Sequence, residues 1–360
     1  MAAGSPEELA AALAASVGPV RFVGGATKLA WSAPPPAGVT DLSTTGLDRV
    51  IEHNAGDLTA VLEAGIPLAR AQAIFAEAGQ MLALDPPDPG GATVGGVVAT
   101  ADSGPLRARY GSVRDLVVGV RVALSDGTIA RAGGKVIKNV AGYDLSKLFA
   151  GSFGTLGAIL EVSVRLHPLP PETATALGSS SDPDALGRGA LALSHAPLEY
   201  QGLDVRWQRG HGAVLVRFGG AQPAPQAEAA ERLLRAEGLE CELVAGDEDL
   251  WSAQRDGQRS SSGTVVRVCG VQTQLPALLR AAERAGASVV GRAGLGLSWL
   301  RLEERAPTEA AAAVAELRRA LSPSPCVVQD GPAALERMGP VEAPALALMR
   351  RVKERFDPAG

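Results

Sequence analysis

Short β-branched runs alternate with glycine turns and an alanine-rich stretch over the first 170 residues. Val20-Arg21-Phe22-Val23 predicts a strand that runs into Gly24-Gly25. A second strand is expected at Leu58–Leu62, then a Gly65-Ile66-Pro67 turn and a helix from about Leu68 to Ala78. Val117–Leu124 and Ile159–Leu166 are further apolar runs of strand length, and Ser125-Asp126-Gly127 after the first is a hairpin signal. At the start of the chain, Ser5 suits a helix N-cap, Pro6 the first helical position and Glu8 the third, a capping box.

Beyond Leu169-Pro170-Pro171 and Ser179-Ser180-Ser181-Asp182-Pro183 the pattern changes, which reads as a domain boundary. Strands are expected at Leu203–Trp207, Ala213–Phe218, Cys241–Val244, Thr264–Val268, Ser288–Val290, Leu297–Leu302 and Cys326–Gln329. Helices are expected near Gln226–Glu237, Leu275–Ala285 and Thr308–Leu321. That order suggests an antiparallel sheet backed by helices, an α+β unit. A last helix, Ala343–Phe356, stops at Asp357-Pro358, because a residue before proline leaves the helical region.

Composition narrows the class. The apolar fraction of 46% and charged fraction of 20% are those of a folded globular chain, and 360 residues exceed one ordinary core. A net charge of −5 argues against a dedicated nucleic-acid binder. Cys241, Cys269 and Cys326 are far apart and His53, His167, His195 and His211 are scattered, so no zinc or iron–sulfur ligand spacing exists and no metal site is expected. The N-terminus has no basic region ahead of an apolar one, and no apolar run reaches membrane-spanning length. The reading is cytoplasmic, at most peripheral on the cytoplasmic face of a membrane.

Glycine is the outlier, with 43 residues in 360 against an average of about 7%. Fourteen of the 72 residues from Pro86 to Gly157 are glycine, which locates the surplus in turns. Three stretches stand out. Gly24-Gly25-Ala26-Thr27-Lys28 follows a strand and offers backbone N–H groups, a hydroxyl and a cation. Asp85–Pro105 begins with prolines that stiffen the entry, then presents small residues and glycines. Lys138–Leu145, with Lys138, Tyr143 and Asp144, leads into Gly151–Ile159. Bare backbone of this kind suits a phosphate-bearing ligand held without metal; tightly packed turns with no ligand are the alternative. The first loop is neither G-x-x-x-x-G-K-[ST] nor G-x-G-x-x-G.

These stretches, in this order, resemble the FAD-binding domain of the vanillyl-alcohol oxidase/p-cresol methylhydroxylase (PCMH) type, and within it the FAD-binding E subunits of glycolate oxidases. The resemblance is carried by Gly24–Lys28, Gly91-Ala92-Thr93-Val94-Gly95-Gly96 with Ser103-Gly104-Pro105, Gly111–Asp115, Lys138–Ser146 and Gly151–Gly157, and covers about residues 20–170. It implies a two-subdomain FAD-binding domain over 1–170, a smaller α+β cap over 171–330, and a C-terminal segment, 331–360, returning to the FAD domain. It also implies that Gly24, Gly25, Ala26, Thr27, Lys28, Pro86, Asp88, Thr93, Gly95, Gly96, Ser103 and Gly104 hold the FAD diphosphate region. Gly157 and Ile159 would line the adenosine end, with Gly65 and Ile66 near the adenine. Ala26-Thr27 stand where some relatives carry a flavin-linking histidine, so the FAD is expected to be non-covalent.

Relatives that oxidise 2-hydroxy acids carry a histidine and acid cluster in the cap, which this chain lacks; His211 and the strand arginines Arg206, Arg217, Arg267 and Arg301 are the remaining candidates for base and carboxylate clamp. Catalytic residues are therefore unassigned. The resemblance favours an FAD-binding subunit of a glycolate (2-hydroxy acid) oxidase complex, relaying electrons from a larger FAD-containing subunit to an iron–sulfur subunit. A self-sufficient 2-hydroxy-acid dehydrogenase and a flavin-free assembly subunit are the alternatives.

Overall fold

The computed structural model describes residues 3–88, 90–135 and 144–358. Its N-terminal half is built around a five-stranded antiparallel sheet in the order Val50–Asn54, Thr59–Glu63, Ala158–Arg165, Val117–Ala123, Ile129–Gly133. The strands Thr59–Glu63 and Val117–Ala123 are almost wholly buried, as their continuous apolar runs demand, because helices cover what would otherwise be a wet face. The Ser125-Asp126-Gly127 turn joins the last two strands of that order, with Gly127 at φ 81°. A separate parallel pair, Val20–Val23 with Thr40–Ser43, sits beside the helix Pro6–Ala15. Ser5 caps this helix by accepting from Glu8 N–H at 3.2 Å, while the Glu8 carboxylate reaches back to Gly4 N–H at 2.8 Å.

The cap is one eight-stranded antiparallel sheet that opens with Glu172–Ser180 and closes with the edge strand Cys326–Asp330. Four helices, Pro183–His195, Ala224–Ala236, Leu275–Ala285 and Pro307–Ala320, cover one face and build its core with residues such as Leu203, Val205, Val214, Leu279 and Leu300. Alternation sends Asp204, between Leu203 and Val205, to the other face. There it pairs in register with Arg292, and Trp299 donates to Gln329 at 2.7 Å nearby. The N-terminal half meets this polar face: Pro105 packs at Gly202, Tyr110 accepts from Gln201 at 3.1 Å, and Trp31 reaches Asp330 at 3.0 Å.

The mixed α+β class holds, and Leu275–Ala285, Leu297–Leu302 and Ala343–Phe356 fall on the expected residues. Two readings are corrected. Ser179–Pro183 is no linker: Ser179 and Ser180 end the nine-residue strand Glu172–Ser180, and Asp182 caps the helix Pro183–His195, which the sequence reading passed over. Residues 94–100 are a helix rather than a bare loop, started by Thr93, whose hydroxyl accepts from Gly96 N–H at 3.3 Å. The helix Ala343–Phe356 lies on the N-terminal half through Val352 and Phe356, whose ring meets Phe149 edge-on at 5.7 Å.

Candidate cofactor site

The loop Gly24–Lys28 leaves its strand and lies directly on the chain at Gly91–Thr93. A Cβ on Gly25 would stand 1.9 Å from the Gly91 carbonyl oxygen, and one on Gly24 2.3 Å from Thr93 Oγ1. Gly95 is equally confined, its absent Cβ falling 2.7 Å from Ala64 Cβ. Much of the glycine surplus is therefore spent on welding chain segments together, not on presenting backbone to a ligand. Gly96 is different. Among the described residues a Cβ there would come close only to Thr93 Oγ1, at 3.2 Å; its φ is ordinary, and it sits inside a helix, where glycine costs about 1 kcal/mol relative to alanine. Protein packing does not require a glycine there. Upstream, the Asp88 carboxylate fixes the second stretch by accepting from the N–H groups of Gly90, Gly91 and Ala92 at 3.2, 2.8 and 2.8 Å.

The welded loops enclose a cavity of about 820 Å³, a volume that suits a cofactor. Gly24, Gly25, Ala26, Thr27, Lys28, Thr93, Gly95, Gly96, Gly157 and Ile159 all line it. Among the described residues, the backbone N–H groups of Gly25, Ala26, Thr27 and Lys28 find no acceptor, and Ala26 is left-handed at φ 57°. Four successive unmet donors at a cavity wall are what an oxyanion such as a diphosphate needs. At the far end Gly157, at φ 143°, lies where a Cβ would be 2.6 Å from the Ala123 carbonyl, so the turn reaches the wall by hugging the central sheet. The unmet donors, the bare backbone at Gly96 and the cavity volume together fit FAD.

Lys28 is not a free cation. It is buried, with Nζ 3.4 Å from an equally buried Asp102 carboxylate and donating to Thr27 Oγ1 at 3.3 Å. Burial pushes the Lys28 pKa down and that of Asp102 up, each opposed by the other's charge. The pair adds no net charge to the wall.

Other expected site residues lie behind the wall. Gly65 packs 1.9 Å (as a Cβ) from the Thr44 carbonyl, and buried Ile66 accepts from Val94 N–H at 2.9 Å, anchoring the helix that carries Gly96. Gly104 is pressed on Asp85, Pro86 is buried beside it in sequence, and Ser103 faces Arg107 at 3.4 Å. Asp144 accepts from the Ser146 hydroxyl, whereas Lys138 and Tyr143 lie outside the described residues. Of the four strand arginines, Arg217 is committed to Asp247 and Glu248 at 2.9 and 3.2 Å, and Arg206 and Arg301 are exposed. Arg267 is half-buried on the face toward the N-terminal half, and among the described residues its Nε has no partner. Its guanidinium and the burial around Arg107 depress the Arg107 pKa, burial being the larger cause. His211 is exposed on a hairpin.

Sequence reasoning missed several wall residues. Phe22, Ala99, Thr100, Gly154 and Lys353 line the cavity, and Lys353 donates to the Thr155 carbonyl at 3.1 Å. Gly154, in a glycine turn, and Ala99 and Thr100, in the small-residue stretch Asp85–Pro105, carried a signal; Lys353 arrives from far along the chain, which no local pattern reveals.

Residues 1–133 match the family model described as an FAD binding domain. The chain is 44% identical over 122 residues to glycolate oxidase subunit GlcE of Escherichia coli (strain K12), a match covering 34% of this chain and 35% of that one. It is 38% identical over 167 residues to glycolate oxidase subunit GlcD of Bacillus subtilis (strain 168), covering 45% and 34%. The match thus spans about a third of the length of these curated relatives. The fold aligns with a solved alkyldihydroxyacetonephosphate synthase at a TM-score of 0.72 and 15% identity, over 99% of this chain and 74% of that one, a likeness of fold alone. With the unmet donors and the cavity they line, these matches show an FAD-binding domain over residues 1–133, in a chain similar to FAD-dependent oxidoreductases that carry it.

Proposed function

We propose that this chain is the FAD-holding subunit of a 2-hydroxy-acid oxidase or dehydrogenase complex of the glycolate oxidase kind, passing electrons from a larger flavin-containing subunit to an iron–sulfur partner. The observation that carries the reading is the run of four unmet N–H donors on the cavity wall, Gly25 to Lys28, built by two welded loops. Bound FAD would supply hydride and electron-transfer chemistry. The chain's own part is to hold the diphosphate on those donors and to keep the neutral Lys28–Asp102 pair from competing for it. Among the described residues, no histidine, cysteine or tyrosine lines the cavity, which supports non-covalent attachment. Relay rather than substrate oxidation is supported by the cap histidines. Both are exposed, His195 at a helix end and His211 on a hairpin, and neither lies at the cavity.

One observation favours a second reading, in which the chain oxidises a 2-hydroxy acid itself. Arg107 and Arg267 lie near one another between the two halves, and among the described residues neither has a carboxylate partner. Half-buried guanidinium groups are ordinarily paired, and a substrate carboxylate would pair them. Purified chain separates the readings. A yellow protein with a band near roughly 450 nm that glycolate does not bleach, but that bleaches once the larger subunit is added, supports the relay. Bleaching of the isolated chain by glycolate supports the second reading, and a chain that takes up no FAD refutes both. Acid precipitation should release the flavin into the supernatant.

A further inference from the structure

The segment of the cap that follows the helix Glu248–Asp256 reaches into the N-terminal half, and two adjacent residues do different work there. Arg259 donates Nη2 to the carbonyl of Thr27, inside the loop of unmet donors, at 3.0 Å. Its Nε and Nη2 also donate to Asp330, at 2.8 and 3.2 Å, and Asp330 accepts in addition from the Trp31 indole at 3.0 Å and from Ser260 N–H at 3.1 Å. The Arg259 guanidinium lies 4.9 Å from the centroid of the Trp31 ring, and Lys28 Nζ lies 5.8 Å from it. The preceding residue, Gln258, is 1% exposed; with its amide turned so that both ends are satisfied, the nitrogen donates to the Ser103 carbonyl at 3.2 Å and the oxygen accepts from Arg292. Ser103 follows the helix that bears Gly96 and adjoins Asp102, the partner of Lys28.

One dipeptide of the cap therefore hydrogen-bonds both stretches of the cofactor site, each through a backbone carbonyl. A carbonyl held on one side orients the peptide N–H on the other. Fixing Thr27 C=O sets the direction of Lys28 N–H, one of the four unmet donors, because the peptide unit is planar. From this arrangement we propose that Gln258 and Arg259 are positioning residues for the flavin. The cap uses them to hold the two cofactor stretches in their binding geometry, so that FAD affinity is set in part by a domain that need not touch the cofactor. Linkage makes the effect reciprocal: FAD binding should strengthen the seating of this cap segment by the same factor.

The inference rests on the reading of the cavity as the FAD site, and the test keeps the two apart. FAD would be titrated into the apo form of the full chain by flavin fluorescence, with visible spectra and thermal unfolding recorded for each variant. Wild type that binds no FAD refutes the cavity assignment. If wild type binds, Arg259→Ala should raise the FAD Kd by roughly tenfold or more, the worth of one buried charge-assisted hydrogen bond. Arg259→Lys should recover part of the loss, since it keeps the charge beside Asp330. Arg217→Ala is the control. It breaks a cap ion pair of similar burial, with Asp247, that touches neither cofactor stretch, and its Kd should stay within about twofold of wild type. An unchanged Kd for Arg259→Ala overturns the proposal, as does an equal rise in both variants. Should Arg259→Ala not fold, the same criteria apply to Arg259→Lys and Gln258→Ala. FAD should also slow amide hydrogen exchange over residues 258–260, and unchanged exchange there would count against the coupling.

Discussion

Gly96 distinguishes glycine kept for packing from glycine kept for a ligand, and its substitution by alanine separates the two by sign. Among the described residues the added methyl meets only Thr93 Oγ1, at 3.2 Å, a contact that a few tenths of an ångström of movement relieves. Placed within the helix Val94–Thr100, alanine should gain about 0.5–1 kcal/mol of helix propensity over glycine, so the melting temperature should hold or rise. Gly96 also lines the cavity, so the methyl takes up room that a bound cofactor would use. Keeping van der Waals distance there moves the cofactor by about 1 Å, enough to cost on the order of tenfold or more in FAD affinity. Gly25→Ala makes the converse case. Its Cβ would stand 1.9 Å from the Gly91 carbonyl oxygen, so the welded loops must part and stability should fall by about 1–3 kcal/mol or more. The assay pairs differential scanning fluorimetry with FAD titration on both variants. Gly96→Ala with wild-type FAD affinity, or with a loss of stability matching that of Gly25→Ala, would refute the reasoning.

Three further outcomes follow from the geometry. Lys28→Met should destabilise the chain by about 3–5 kcal/mol, because it leaves Asp102 charged and unpaired in a buried wall, while Lys28→Met with Asp102→Leu should recover most of that in urea unfolding. Burial raises Asp204 to about 6, and it raises Asp85, partly accessible but closely packed around, to about 7. The folded state therefore binds protons more tightly than the unfolded chain, and stability should fall as pH rises from about 4 to 7. Melting curves across that range check the sign, and Asp204→Asn should flatten the slope. Phe356→Ala removes the ring that meets Phe149 and loosens the helix holding Lys353 on Thr155. It should cost about 1–3 kcal/mol and weaken FAD binding, measured by the same titration.

Much of the architecture was legible because its signals are local. The strand Val20–Val23 and the helices Leu275–Ala285 and Ala343–Phe356 announce themselves by periodicity and by flanking glycine or proline. The helix Val94–Thr100 was hidden because two of its seven residues are glycine and three are valine, poor helix formers held in place by tertiary packing on Ala64 and Ile66. The strand Glu172–Ser180 was masked in the same way, by small and polar residues whose strand character comes from pairing on both sides. At the site, the loops could be found from glycine density, but the reason for most of those glycines could not. Gly25 and Gly104 are small because another backbone lies against them, a fact that exists only in three dimensions. Arg259 gave no signal at all, since its meaning depends on meeting Thr27 across 232 positions.

The bond from Lys353 to Thr155 spans 198 residues, and with it the last wall of the cavity is supplied by a helix near the end of the described chain. During synthesis the welded loops can form early, yet the pocket is closed only when residue 353 has emerged and folded back. Contacts of such sequence separation form late, after the entropy of ordering the intervening chain has been met. Closure of the pocket must then wait until residue 353 has been made and has folded back, and a chain cut off before it would form the welded loops with part of the cavity wall missing.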